Sequence, residues 1–583
     1  MLNEEDQDFL RRKQWDWVSS EVTVGHARET HVLIRRFELP ERYQPRFVDL
    51  LIRIPNGYPE VRLDMFYTRP DVLEVATGRK PHLTDVYETH NGLQWQRWSR
   101  HIENWRPAID NLETFLQPLQ RSSTEMKYSL TMLEHHFDQL HRAFVNAVNH
   151  ERAAVLFCSR SVTENEVRCL VNRVDIVPSQ LIVDSSEEHI SLASQAYVSA
   201  FSEADRTKSS VIFVHSHPEG HNRFSEMDDD AEMELFRISS LRAPNGPHGS
   251  MIFVGGNAPA LIGRMWVEEG SVPLSRIRVL GKRLLCFDHN PTGAPQVPPW
   301  ADRQILAFGK EVQQLISSLH VGIVGAGGTG SAVCEQLARL GVGVLTVIDE
   351  DRFEQSNVNR VYGSTLRDTG EAKVSLAHRN ADFIGTGTEI RPIFGSVYDK
   401  HTITLLKECD IVFCCTDDHF GRALLNRLAV WYYIPVIDVA VAIDSEDHVI
   451  REIVGRVTLL LPGNACLNCR GRISFERVHE DQLKRAQPDE YSTRVKEGYI
   501  RELAQPDPSV IMFTNGIASR ALIEFMHIIT GFMGNDRQSS EVIERFHDTD
   551  VRTNSRPGQE GCYCSTPNKW GRGDLGMFLG VSW

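Results

Sequence analysis

Residues 321–341 constrain the fold most. Val321–Val324 is a short apolar run, GAGGTGS follows it, and VCEQLARLG then shows helical apolar spacing. That pattern is strand, glycine-rich turn, helix. Gly325, Gly327 and Gly330 fit G-x-G-x-x-G, with Gly328 inside the turn. Such glycines let the backbone turn tightly and approach a phosphate at the helix N-terminus. Val344–Ile348 is a second strand, and the acidic Asp349 at its end suits a ribose hydroxyl. The pattern predicts a Rossmann-like, doubly wound nucleotide-binding block. Taken alone, it serves a nicotinamide or flavin enzyme equally well.

The rest of the chain divides around this block. PTGAPQVPP at 291–299 has four prolines in nine residues, which suits neither a helix nor a central strand. A softer boundary lies near 121–127. The expected organisation is therefore 1–120, 121–288, a Pro-rich linker at 289–300, and 301–583, an α/β multidomain protein. Lys and Arg number 63 against 78 Asp and Glu, a formal net charge of −15. So acidic a balance argues against nucleic acid and against an anionic membrane surface as partners. No apolar run approaches the roughly 20 residues of a membrane span, and MLNEEDQDFLRRKQW lacks a signal-peptide core. The eleven cysteines are at ordinary density and several sit in apolar runs, so a reducing cytoplasm is the expected location.

The flanks of the glycine turn narrow its reading. ADRQILAFG precedes it, DEDRFEQSNVNR follows the second strand, Lys373 lies 13 residues after Arg360, and DIVFCCTDD then GRALLN come next. Residues 300–535 resemble the ubiquitin-activating superfamily, which includes the molybdopterin- and thiamine-pathway (ThiF) adenylyltransferases. The resemblance implies that Asp349 holds the ATP ribose, that Asn357, Arg360 and Lys373 contact the phosphates, that Asp417 holds Mg²⁺, and that Arg303 acts as an arginine finger across a homodimer. Adenylation brings several negative charges together, so cations aimed at the developing charge suit it. Cys466 and Cys469 (C-L-N-C) with Cys562 and Cys564 (C-Y-C) suit a structural Zn²⁺, the second pair departing from the superfamily's C-x-x-C. No cysteine lies between Cys469 and Cys562, where thioester-forming relatives keep their nucleophile, so adenylation without a thioester in that stretch is expected.

In the middle block, VIFVHSHPEGHNRFSEMD opens with the apolar strand VIFV, His215 and His217 project from one strand face, and ten residues separate His217 from Asp228. Two imidazoles and a carboxylate leave a fourth position on a catalytic Zn²⁺ for water. H-x-H-x10-D with S-x-x-D resembles the JAB/JAMM metallopeptidases, which have a cytidine-deaminase-like α/β fold and cleave peptide or isopeptide bonds at the C-terminus of ubiquitin-like proteins. The resemblance implies Glu151, before the strand AAVLFC, as general acid/base, and Ser225 as the group bonding the oxyanion. Glu187 and Glu188 are weaker alternatives to Glu151, and His221 reads as peripheral.

VDLLIRIPNGYP, DMFYTRP and WQRWSRHIENWRPAIDNLETFLQPLQ resemble the layout of ubiquitin-conjugating enzymes, an α+β fold, through Tyr58-Pro59 and Trp105-Arg106-Pro107. Residues 1–157 contain no cysteine, and Arg97 and Trp98 stand where the family's nucleophile normally lies. The three blocks together resemble a bacterial fusion protein that processes and activates a ubiquitin-like protein with a Gly-containing C-terminus, by zinc-dependent cleavage and ATP-dependent adenylation. A sulfur-carrier pathway and a scaffold for ubiquitin-like chains are the alternatives, and the bacterial resemblance suggests antiviral defence.

Overall fold

The computed structural model describes residues 2–576 except 3, 14, 25–26, 40–42, 64, 75–79, 81–83, 85, 100–111, 113–114, 117–125, 146–149, 187–188, 218–220, 244–245, 256–258, 268–269, 290–297, 498–499, 501–507, 535–536 and 538. Trp105-Arg106-Pro107, Glu187, Glu188 and most of the Pro-rich linker lie outside the described residues. Two compact units are present, 1–126 and 127–583.

In the first unit a six-stranded antiparallel sheet runs in the order Asp16–Val24, Ala27–Glu38, Phe47–Ile54, Met65–Arg69, Leu93–Ser99, Tyr87–His90. Strand alternation puts Val32, Ile34, Leu50, Ile52 and Phe66 on one face, where they share a core with Phe9 and Leu10 of helix Glu4–Arg12. Leu112, Phe115 and Leu116 join that core. Trp98 is stacked on Phe66 and buried, and Arg97 is paired with Glu88 at 3.0 Å.

In the second unit the first sheet has eight strands. Their order is Ala260–Val267, His248–Val254, Ser210–His217, Ala153–Val162, Glu166–Ile176, Lys127–Leu133, Gly270–Leu280, Leu284–Asp288. Helix Glu134–Phe144 covers one face through Leu140 and Phe144, and helices Ser194–Thr207 and Glu226–Arg242 cover the other through Phe201 and Phe236. Ser210–His217 is buried along its whole length, which is why it reads as continuous apolar sequence rather than alternation.

The second sheet orders its strands Glu389–Phe394, Val344–Asp349, His320–Val324, Ile411–Cys414, Val436–Glu446, Val449–Leu460, Glu541–Arg545, Asp550–Asn554. The first five are parallel and the rest antiparallel. Chain order reverses at His320–Val324, whose neighbours are Val344–Asp349 on one side and Ile411–Cys414 on the other. Open α/β sheets bind ligands beyond the carboxyl ends of strands at such a point.

The two sheets of this unit meet across a buried ionic cluster. Asp410, 3% exposed, sits at the start of a strand of the second sheet. It accepts from Arg276 at 3.0 Å, from Arg278 at 2.6 Å and from the His320 amide at 2.8 Å. Arg168 of the first sheet donates to the carbonyls of Cys409 (3.0 Å) and Glu408 (3.2 Å). Burial alone would raise the Asp410 carboxyl, but Arg278, Arg276 and Arg168 hold it well below the usual range. Cys409, next to it, is fully buried and its thiol is pushed up by burial, so it is closed to acyl transfer.

Candidate functional sites

The glycine turn behaves as its spacing predicts. Gly325 takes φ +93°, and a β-carbon there would lie 2.7 Å from the Cys415 carbonyl oxygen. Gly330, in the first turn of helix Gly328–Leu340, packs on the Gly325 carbonyl so closely that no side chain fits. A β-carbon at Gly327 would meet nothing within 4 Å, so that position faces open space.

Gly325, Gly327 and Gly328 line a cleft of about 740 Å³ together with Asp349, Arg360, Lys373 and Asp417. The Asp349 carboxylate fixes two turns, accepting from the Ala326 amide at 2.6 Å and the Asp351 amide at 2.8 Å. Burial raises its pKa, with Lys373 opposing. Lys373 meets Asp351 at 2.7 Å, and Arg360 donates to the Ser356 carbonyl at 2.6 Å. The cleft therefore combines an open glycine turn and helix N-terminus with the cations Arg360 and Lys373, among others, and an exposed carboxylate, Asp417. This donor set suits a nucleotide triphosphate with a divalent ion.

Two expected members are elsewhere. Asn357 is buried and caps a turn by accepting from the Glu354 amide at 3.1 Å, and it does not line the cleft. Arg303 is exposed on helix Asp302–Phe308 and also does not line it. The sequence reading missed Asp481, Lys484 and Arg485, which reach the cleft from helix Phe475–Ala486. Arg485 meets Glu350 at 2.9 Å and lies over the Tyr398 ring, itself stacked on Phe420. A charged amphipathic helix in 471–486 was the available signal.

The second site lies at the carboxyl end of Ser210–His217. Ligand atoms of Glu151, His215 and His217 all fall within 4.8 Å of one another. The two imidazole Nε2 atoms are 3.0 Å apart, His217 Nε2 is 3.7 Å from Glu151 Oε1, and His215 Nε2 is 3.5 Å from Asp228 Oδ1. His217 Nδ1 bonds the His221 carbonyl at 2.8 Å, which leaves Nε2 facing the cluster. His221 thus orients a ring through its backbone. Antiparallel pairing of Ala153 with His215 brings Glu151 alongside the histidines. Glu151 is 2% exposed, and burial, reinforced by Asp228, pushes its carboxyl up to about 8. Burial pushes His215 down to about 4. Two imidazoles with the Glu151 carboxyl group and Asp228 beside them suit a divalent ion, and borderline-soft Zn²⁺ fits such a donor set.

Ser225 has a different setting from the one the motif suggested. It is the N-cap of helix Glu226–Arg242, its hydroxyl accepting from the Asp228 amide at 3.1 Å and donating to Asp228 Oδ2 at 2.7 Å. That capping box aims Asp228 Oδ1 at His215.

The four cysteines converge. Sγ separations are 3.6 Å for Cys466–Cys469, 3.7 Å for Cys466–Cys562 and 3.6 Å for Cys469–Cys564. These exceed the roughly 2.05 Å of a disulfide. They match the edge of a tetrahedron with metal–sulfur bonds of ~2.3 Å, which is about 3.8 Å. The C-Y-C pair fits such a centre despite its shorter spacing.

Comparison with known proteins agrees with this layout. The ThiF family matches residues 301–565. Prokaryotic E2 family E matches 2–125, and prokaryotic homologs of the JAB domain match 133–267. Molybdopterin-synthase adenylyltransferase of Escherichia coli K12 is 31% identical over 181 residues, 30% of this chain and 69% of that protein. The chain belongs to the ThiF family. It carries E2-like, JAB-like and ThiF regions in that order. SAMP-activating enzyme E1 of Haloferax volcanii is 29% identical over 161 residues, 28% of this chain and 56% of that protein. Adenylyltransferase and sulfurtransferase UBA4 of Yarrowia lipolytica is 32% identical over 151 residues, 25% of this chain and 37% of that protein. This ThiF-family chain thus spans between 37% and 69% of the length of these relatives. Among solved structures, E. coli MccB with ATP is similar at 17% identity and TM-score 0.36, over 46% of this chain and 75% of that one. No helix among the described residues is long and apolar enough to cross a membrane.

Proposed function

We propose that the chain adenylates the C-terminal carboxylate of a ubiquitin-like protein at the glycine-turn cleft and cleaves a peptide or isopeptide bond at that C-terminus at the Glu151 site. The observation that carries the first activity is the convergence of Gly327, Asp349, Arg360, Lys373 and Asp417 on one cleft at the point where strand order reverses. The helix N-terminus and the two cations bind the triphosphate, Asp349 binds the ribose, and Asp417 holds Mg²⁺. The substrate carboxylate oxygen attacks the α-phosphorus, the bond to pyrophosphate breaks, and an acyl adenylate forms. Arg485 and Lys484 supply further positive charge at the rim. Arg303, exposed and outside this cleft, acts in the cleft of a second copy within a homodimer.

At the second site His215, His217 and Asp228 hold the metal, with Ser225 keeping Asp228 in place. A bound Zn²⁺ supplies a Lewis acid that polarises the scissile carbonyl and acidifies water. Glu151, buried and of raised pKa, takes a proton and returns it to the leaving amine. The four cysteines hold a structural Zn²⁺. Residues 1–120 present no thiol and serve to position the ubiquitin-like partner. The relatives include a SAMP-activating enzyme E1 and an adenylyltransferase and sulfurtransferase, so the partner decides between conjugation and sulfur transfer.

The two chemistries are separable. Glu151→Gln stops cleavage of a tagged ubiquitin-like precursor, by ~10²–10⁴-fold for loss of a general acid/base, and preserves ATP–pyrophosphate exchange. Asp417→Ala does the reverse. Loss of both activities from either folded variant refutes the assignment.

A further inference from the structure

The four-cysteine cluster belongs to the adenylating module, yet the chain that leaves it crosses to the other module. Cys564 lies in one short 3-10 turn, Tyr563–Ser565, and is followed by a second, Pro567–Lys569, and then by residues 570–576. Trp570 Nε1 donates to the Tyr563 carbonyl at 3.0 Å, tying this segment to the cysteine loop. From there the backbone lies between the two modules. On the adenylating side the Gly571 amide donates to the Val430 carbonyl at 3.0 Å, and Trp431 Nε1 donates to the Gly573 carbonyl at 3.0 Å. Asp574 Oδ1 accepts from Lys407 at 2.7 Å and from the Tyr432 hydroxyl at 3.0 Å.

On the peptidase-like side the same residues grip strand Ala153–Val162 and its neighbour. The Ser159 hydroxyl donates to the Gly571 carbonyl, Asn172 Nδ2 donates to it at 2.8 Å, and the Val162 amide donates to Asp574 Oδ2 at 2.7 Å. Gly573 has φ +53°, and a β-carbon there would collide with the Arg160 backbone. The approach is thus too close for any other residue. Asp574 is shared, one carboxylate oxygen on each module. The strand it holds begins two residues after Glu151 and pairs directly with the strand bearing His215 and His217.

We infer that residues 570–576 are a strap that clamps the JAB-like module to the adenylating module, and that metal held by Cys466, Cys469, Cys562 and Cys564 anchors it. This rests on the reading that those cysteines take a metal. The structural logic is a short tether. With Cys562 and Cys564 fixed, few residues separate the anchor from Gly571, so the strap starts in position. With them free, the strap's own hold is a handful of hydrogen bonds, each worth only ~1 kcal/mol net. The four-cysteine site therefore does more than stabilise its own loop; it sets how firmly the Glu151 strand is held against the second module.

The test uses the full chain, with metal content and hydrogen–deuterium exchange as readouts. The parent and a Cys562→Ser/Cys564→Ser variant are compared for metal bound per chain and for amide exchange in 159–162, 570–576 and the buried strand His320–Val324. The expected result is one metal ion fewer per chain in the variant, with exchange at least tenfold faster at the Val162 amide and across 570–576 and unchanged protection of His320–Val324. Asp574→Ala guards against general unfolding. It should keep the parent's metal content while speeding exchange at the Val162 amide. Equal metal content in parent and cysteine variant overturns the metal reading and the anchor with it. Metal loss with undiminished protection of Val162 and 570–576 overturns the anchor, and Asp574→Ala leaving Val162 protected overturns the strap.

Discussion

Asp410→Ala is the perturbation that the architecture makes most informative. Its carboxylate is 3% exposed and bonds two guanidinium groups across the junction of the two sheets. Removing it leaves Arg276 and Arg278 facing one another in a buried space. Arg276 keeps Asp288 at 2.6 Å, and among the described residues Arg278 keeps Glu166 at 3.6 Å and the Ser129 hydroxyl at 3.1 Å. Breaking one side of a buried ion pair costs about 3–5 kcal/mol. If residues 127–583 unfold as one cooperative block of about 460 residues, an unfolding entropy of ~2.1 cal/mol/K per residue converts that loss to a Tm fall of about 3–5 °C. Were the JAB-like block of about 160 residues to unfold alone, the same loss would lower its Tm by about 9–15 °C. Scanning calorimetry of parent and variant separates these cases. A single transition displaced by a few degrees is the expected result. A Tm unchanged within a degree would refute the claim that this cluster holds the modules together.

Three further outcomes follow from the geometry. Burial pushes His136 down to about 3, below its unfolded value of ~6.5. The unfolded chain therefore binds the extra proton first, and stability present above pH ~6.5 is lost by up to about 1.4 kcal/mol per unit as pH falls toward 3. Thermal melts of the parent should fall more steeply between pH 6 and 4 than those of His136→Gln, and equal slopes would count against this. Mixing inactive Arg303→Ala and Asp417→Ala chains should restore part of the ATP–pyrophosphate exchange, whereas no recovery from chains shown to exchange subunits would argue that Arg303 does not act in trans. Peptide mapping after incubation with ATP and a ubiquitin-like partner should place no acyl adduct before residue 120, because Arg97 cannot act as a nucleophile; any such adduct would overturn the positioning role of the first unit.

Much of both sites was legible because their chemistry sits in short local spacings. The glycine turn, the H-x-H strand and the paired cysteines each dictate geometry within a few residues, and the fold only had to bring the segments together. Other features depended on tertiary context. S-x-x-D at Ser225 reads as an oxyanion group, but the same spacing makes a capping box, and the helix start at Glu226 engages it as one. Asn357 lies in a charged loop that reads as phosphate-binding, while the backbone folds it inward to cap a turn. Arg168, Arg276 and Arg278 alternate with apolar residues, a pattern that reads as a solvated sheet face; here that face is buried against Asp410 of another module. Asp481, Lys484 and Arg485 are distant in sequence from the glycine turn, and no spacing rule connects them to it.

The central claim is that the glycine-turn cleft activates a C-terminal carboxylate with ATP. The most direct measurement incubates the full chain with ATP, Mg²⁺ and a small β-grasp protein ending in a Gly-containing tail, adds hydroxylamine to capture an acyl adenylate as the hydroxamate, and reads the intact mass of the small protein. The account predicts a hydroxamate at the C-terminal residue that requires ATP and disappears with Asp417→Ala. A partner shown to bind the chain that stays unmodified, or a hydroxamate that forms equally well with Asp417→Ala, would contradict it.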